Sequence, residues 1–231
     1  ASFTFRAWDT TSGTASTNSV RNFGDASVNG GITAFSAQSA TGQIVVTSTN
    51  DAPVYDTSGT TTLTSISEDA TINGGQTVAS IVASAGGNRI TDVDTGAVEG
   101  IAITASTSGN GIWQYSINGG STWSDVDIVS DTQSLLLRDS DFVRFVPDGQ
   151  NGTSASLTFR AWDQTSGTFG TKVSTTAFGG NMPFSAASEI ATITVTSVND
   201  APVLTGVNSL SDISEDDVTN PGTLISALIA G

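Results

Sequence analysis

Ala1–Asp9 reads ASFTFRAWD and Ala155–Asp163 reads ASLTFRAWD, so one nine-residue string returns 154 positions later (155 − 1) with a single change. A second string, NDAPV, starts at Asn50 and again at Asn199, 149 positions apart (199 − 50). A third, ISED, starts at Ile66 and again at Ile213, 147 positions apart (213 − 66). Three unrelated strings returning at nearly one interval define a repeat of about 150 residues, one structural block used more than once. In this frame residues 1–53 are the C-terminal part of one repeat and 54–202 are a complete one. Residues 203–231 are the N-terminal part of a third, so the stretch reads as a window on a longer chain.

The polar residues of the block are mostly Ser, Thr, Gly, Asn and Asp, and hydrophobic residues make up 37%. Lys and Arg number 7 against 22 Asp and Glu, a net charge of −15, which argues against nucleic acid or an anionic membrane as partner. With no cysteine there is neither a disulfide framework nor a thiolate metal site. With no histidine there is no imidazole base or ligand, and Lys172 is the only lysine for amine chemistry. No stretch approaches the roughly 20 apolar residues of a membrane span.

Alternation of period two runs through the chain. Leu157, Phe159 and Ala161 alternate with Thr158, Arg160 and Trp162; Ile193 and Val195 alternate with threonines; Trp113, Tyr115 and Ile117 alternate with Gln114 and Ser116; Val143 and Phe145 alternate with Arg144 and Val146. Half-buried antiparallel strands have this pattern. Gly-Gly pairs at 74–75, 86–87, 119–120 and 179–180 punctuate them as turns. No helix is predicted; Leu224–Ala230 aligns with Val78–Ser84 and both read as strand. The fold class is all-β, an antiparallel β-sandwich repeated in tandem.

Asp163 to Asp200 spans 37 positions (200 − 163), against 42 from Asp9 to Asp51 (51 − 9). Length variation belongs in a loop, so a long connection is predicted at about 167–188, anchored by the shared Phe-Ser-Ala at Phe35 and Phe184. NDAPV, in which proline breaks a sheet ladder, reads as a short stiff linker between repeats.

The acids gather where repeats meet. Glu68 and Asp69 follow one linker, Asp92-Val-Asp94-Thr-Gly96 follows the next strand, Asp163 ends the FRAWD strand, and Asn50-Asp51 and Asn199-Asp200 lie in the linkers. Carboxylates, Asx side chains and backbone carbonyls suit a hard cation with six to eight oxygen ligands. Asx-turns and caps without any metal use the same residues.

The order ISED, DVDTG, FRAWD, ITVTSVNDAPV resembles the cadherin-like repeats of very large bacterial secreted proteins and surface adhesins. The resemblance implies a seven-stranded sandwich, Ca2+ at the junctions, and an extracellular or cell-surface location. It implies one junction formed by Asn50 and Asp51 with Asp92, Asp94 and Asp163. It implies a second formed by Glu68 with Asn199 and Asp200, and a role for Asp9 at a third; Asp69, next to Glu68, is a further candidate ligand. Ser48 and Ser197 stand where the family carries its first linker aspartate, the second linker asparagine is missing, and Leu137-Arg138-Asp139 only echoes the family's L-D-R-E. These departures imply one or two ions per junction.

Ser116-Ile-Asn118-Gly-Gly120-Ser-Thr122-Trp123 is similar to the Asp-box hairpin of sialidases, with asparagine in place of aspartate. It is predicted to be a structural turn closed by Asn118. Trp162 and Trp8 lie out of phase with the core side of their strands, alongside Arg160 and Arg6. Such a tryptophan either stacks on a sugar ring or is covered by the long loop, and the loop is the expected cover. The expected role is structural and non-enzymatic: a calcium-stiffened spacer for adhesion or a biofilm matrix, its partners the neighbouring repeats of the same chain. Assembly with other copies into an extracellular filament, and binding of surface glycans, are the alternatives.

Overall fold

The alternation at 155–163 and 190–196 becomes two long paired strands, and the rest of the sandwich is laid against them. The computed structural model describes residues 1–203, 210 and 212–228. Two units divide the chain, Ala1–Thr49 and Asn50–Gly231, so the NDAPV linker falls with the unit that follows it.

The first unit is a hairpin of β1 (Ser2–Trp8) and β2 (Phe35–Gln43), antiparallel, with an irregularity in register between Arg6 and Trp8.

The second unit begins with β3 (Val54–Tyr55), β4 (Thr61–Thr62), β5 (Ile66–Ser67), β6 (Gln76–Thr77) and a short helix α1 (Val78–Ala83). It continues with β7 (Ile90–Thr91), β8 (Gly100–Thr107), β9 (Gly111–Ser116), β10 (Ser124–Asp125), β11 (Ser134–Arg138) and β12 (Phe142–Pro147). β13 (Thr153–Trp162), β14 (Lys172–Val173), β15 (Phe184–Thr196) and a helical turn α2 (Ile225–Leu228) complete the order. The larger sheet runs β14-β11-β8-β13-β15-β4, with β5 also on β15; the smaller runs β10-β9-β12-β6; β3 and β7 form a separate pair. β4 and β5 lie parallel to β15, and every other pairing is antiparallel.

The core lies between the two main sheets. Ile103, Leu135, Leu137, Leu157, Phe159 and Ile193 from the larger meet Trp113, Val143 and Phe145 from the smaller. The Trp113 and Phe145 rings meet edge-on at 5.1 Å, as do Tyr55 and Phe159 at 5.5 Å. The expected alternation holds at these positions, whereas Ile117 is largely exposed because it enters the hairpin turn.

The larger sheet is also covered on its outer face. Ala102, Leu136, Trp162 and Phe184 are buried together, with Phe169 and Val173 packed on them. The cover is the connection between β13 and β15, which contributes β14 and acts as a strap over residues 163–183. Phe169 lies under the Arg138 guanidinium at 3.5 Å and Phe178 under that of Arg160 at 3.9 Å, so two cation–π contacts hold the strap down. Trp162 Nε1 donates to Ser166 O at 2.8 Å, and the buried indole has no face left for a sugar ring.

The structure corrects the reading of Val78–Ser84 as strand. Val78, Ile81 and Val82 are buried at helical spacing, Thr77 caps the N-terminus by accepting from Ser80 N, and Gly86 and Gly87 follow with positive φ. Alternation and helical spacing are hard to separate over so few residues, and the cap is the signal that decides between them. The aligned tail forms α2 at Ile225–Leu228; the rest of the predicted strand Leu224–Ala230 includes Ile229 and Ala230, which lie outside the described residues. The second ISED, from Ile213, carries no strand, whereas the first makes β5 only through its pairing with β15. Among the described residues no helix is long and apolar enough to cross a membrane.

Phe159→Ala is expected to cost about 3–5 kcal/mol, by transfer and cavity terms together, and Ile190→Ala, on an exposed position, less than about 0.5 kcal/mol; urea unfolding of both variants measures the contrast. The Asp56 carboxyl is lowered to about 2 by hydrogen bonds from Ser58 and then from Arg89, whose guanidinium lies 2.6 Å away. Since the folded value is depressed, this contribution is present above the unfolded value of 3.8 and lost as pH falls towards about 2. Asp56→Asn is expected to flatten acid unfolding in that window.

Candidate cation site at the linker

Asp163 stands where β13 ends, and the local sequence folds around its carboxylate. Gln164 takes a left-handed φ of 62°, which turns the chain so that Thr165 N and Thr165 Oγ1 both donate to Asp163 Oδ1, at 2.8 and 2.6 Å. Asp163 N donates to Pro183 O at 3.1 Å and closes the strap. The carboxylate is buried, so its second oxygen also needs a partner. That partner is Asn50 Nδ2 of the linker, at 2.9 Å.

Asn50 Nδ2 faces four oxygens. Besides Asp163 Oδ2 it faces Asp51 O at 3.2 Å, Asn181 O at 3.4 Å and Met182 O at 3.4 Å. An amide nitrogen inside four converging oxygens occupies the kind of position a hard cation takes, and a rotated Asn50 would add its own carbonyl oxygen to the set. The linker is fixed at two further points. Ala52 N donates to Gly180 O at 2.8 Å, and Asp51 N donates to Asp94 Oδ2 at 2.8 Å. Asp94 is in turn placed by Asp92, whose Oδ1 accepts from Asp94 N at 2.8 Å in an Asx-turn. Asp92 Oδ2 is buried with no hydrogen-bond partner.

Of the five residues assigned to the first junction, the structure links Asn50 to Asp163 and, separately, Asp51 through its backbone N to Asp94, which Asp92 positions. It adds the carbonyls of Asn181 and Met182. Backbone oxygens have no side-chain signature; the adjoining Gly179-Gly180 pair, both with positive φ, was the only sign of a tight bend there. Among the described residues no three acidic side chains converge on one point, so the oxygens come from a mixture of carboxylate, amide and carbonyl groups.

The second set is placed only in part. Glu68 follows β5 and is fully buried; its Oε1 accepts from Val198 N at 2.6 Å, one residue ahead of Asn199, and its Oε2 has no partner. Asn199 Nδ2 donates to Asp200 O at 3.2 Å, the same contact and distance as Asn50 to Asp51. Asn199 and Asp200 are exposed, and Asp69 is exposed with its backbone N on Ser67 Oγ at 3.1 Å. Among the described residues no hydrogen bond connects Asp69 to the linker.

Asp9 repeats the Asp163 geometry. Thr10 has φ 68°, and Thr11 N and Oγ1 donate to Asp9 Oδ1 at 2.8 and 2.6 Å. Those hydrogen bonds hold its carboxyl below the usual carboxylate range.

The Asn118 hairpin is closed as expected. Ser116 Oγ and Thr122 N donate to Asn118 Oδ1 at 2.8 and 3.0 Å, and Asn118 Nδ2 donates to Thr122 Oγ1 at 2.8 Å. Trp123 carries the Arg144 guanidinium at 4.1 Å from its ring. These groups satisfy one another and form a turn.

Comparison of the chain with protein families, curated proteins and solved structures finds no match.

Asn50→Ala removes the donor that Asp163 Oδ2 has among the described residues. In chelator it is expected to cost about 1–3 kcal/mol, the range for unpairing a buried charged group. Chemical unfolding of the variant beside the parent checks the value.

Proposed function

We propose that this chain is a segment of a tandem-repeat spacer in a large extracellular bacterial protein, stiffened at its joints by calcium and serving adhesion or a biofilm matrix. The observation that carries this reading is the Asn50 side chain, from the linker, lying among four oxygens contributed by the linker itself, the FRAWD strand end and the strap. A cation there would tie these segments into one body. Asp163, Asp51 and the carbonyls of Asn181 and Met182 are the groups that would hold it, with Asp92 and Asp94 beside them. Calcium would supply charge neutralisation in a chain of net charge −15. It would supply no chemistry beyond that, and the chain's role is structural.

Glu68 supports a second ion at the following joint. A buried carboxylate with one oxygen unpartnered is costly without a counter-charge, and it sits against the strand that leads into Asn199-Asp200. The exposed position of Asn199 and Asp200 leaves their side chains free to turn towards such an ion.

Thermal unfolding with calcium and with chelator tests the reading. Calcium at 100-fold over its dissociation constant is expected to add about 2.7 kcal/mol per site by mass action. Asp163→Asn is expected to reduce that gain. Glu68→Gln keeps the acceptor for Val198 and discharges the buried group. It is expected to unfold at higher temperature than the parent in chelator and to gain less from calcium. Superimposable melting curves for the parent in calcium and in chelator overturn the calcium clamp.

A further inference from the structure

The β1–β2 hairpin is the β13–β15 hairpin over again, in register as well as in sequence. Phe5 pairs with Ala40 and Trp8 with Phe35, as Phe159 pairs with Glu189 and Trp162 with Phe184. Both pairs slip between the arginine and the tryptophan. Ala7 N donates to Ser36 Oγ at 3.0 Å and Ala161 N to Ser185 Oγ at 2.9 Å. Trp8 Nε1 reaches Ser12 O at 2.7 Å, and Trp162 Nε1 reaches Ser166 O at 2.8 Å.

The two hairpins differ in what covers their apolar face. Phe159 and Val195 are 1% and 4% exposed; their counterparts Phe5 and Val46 are 49% and 85% exposed. Phe3 and Ile44 are likewise exposed where Leu157 and Ile193 are buried. The cover in the second unit is the frame β3–β12. β8 pairs along the outer edge of β13, β4 and β5 pair with β15, and Tyr55, Ile103 and Phe145 close over the face. The first hairpin carries the same apolar pattern and bulge, and its edges lack these pairings among the described residues.

We infer that the face bearing Phe3, Phe5, Ile44 and Val46 is a docking surface for a sandwich frame of the β3–β12 kind, carried on the same polypeptide. The partner is defined by chemistry. It offers an edge strand like Gly100–Thr107 to β1, a short parallel strand to β2, and aromatic and branched aliphatic side chains to the exposed face. Phe3 and Phe5 are set on a paired strand with an open edge and Ile44 and Val46 on the segment that continues β2, and apolar side chains this exposed mark an interaction surface. The existing β13–β15 interface shows the shape that fits it. The inference rests on the tandem-repeat reading and is independent of calcium.

The test is a fusion in which a second copy of residues 54–154 is placed directly ahead of Ala1 of the full chain, so that Ser154 runs into Ala1 as it natively runs into Ala155. Unfolding enthalpy scales with the number of folded residues, so calorimetry is expected to show a roughly doubled value. The added segment is also expected to resist protease as residues 54–154 do in their native place. Phe5→Asp in the fusion is expected to abolish the added enthalpy and protection while leaving those of residues 54–202 intact. An added segment that is digested, with enthalpy unchanged, overturns the inference, as does indifference to Phe5→Asp. A dimer of the unfused chain by light scattering that Phe5→Asp dissociates also overturns it, since the occupant is then a second copy. Measurement in calcium and in chelator separates the two proposals: a fusion that folds identically in both leaves the docking surface standing and removes the calcium clamp.

Discussion

The buried carboxylate of Asp163 is the constraint on which the end of the second unit depends. A charge removed from water is tolerated only when its oxygens are occupied. Two hydrogen bonds come from Thr165 and one from Asn50. Satisfying the first two forces Gln164 into a left-handed conformation that a non-glycine residue adopts only under constraint, and so starts the strap in a fixed direction. Satisfying the third draws the linker onto the end of the sheet. The strap in turn buries Trp162 and Phe184 against the outer face of the larger sheet. One charged group thus organises a turn, a covering layer and a linker that would otherwise be independent loops.

Much of this was legible in the sequence because it rests on side chains with strong signatures. The alternating runs at Leu157–Ala161 and Ile193–Val195 gave the core strands, and the shift of Trp162 to the opposite phase pointed to a cover on the outer face. The shared Phe-Ser-Ala located the anchor at Phe184. The linker residues and Asp163 were grouped through the resemblance, and the structure joins Asn50 to Asp163 and Asp51 N to Asp94, which Asp92 positions. What the sequence did not reveal depends on backbone. The carbonyls of Asn181 and Met182 have no residue-level signal. The strap starts at Asp163, earlier than its glycine-rich stretch suggested, because the turn is set by hydrogen bonds to a carboxylate. The helix at Val78–Ala83 was hidden by its brevity, since one and a half turns of apolar residues fit either period. Glu68 was placed near the second linker by resemblance, yet its complete burial could come only from the packing of β5 on β15.

The two repeats separate what is constant in the block from what varies. Along the core face Phe3 replaces Leu157 and Gly42 replaces Ala191, so packing is free to change within broad chemical limits. The hydrogen bonds around FRAWD do not change: serine to the alanine amide, tryptophan to a carbonyl four residues on, threonine to aspartate, each within about 0.1 Å between copies, close to the spread of ordinary hydrogen-bond geometry. The linker contact of asparagine with the next carbonyl is equally constant at 3.2 Å. Phe5 and Phe159, Phe35 and Phe184, Ile44 and Ile193, and Val46 and Val195 are the same in both copies, so the apolar positions that change lie beside a fixed set. The polar geometry at the ends of the strands is repeated as closely as these apolar positions, because a buried or turn-forming polar group loses its partner with any shift.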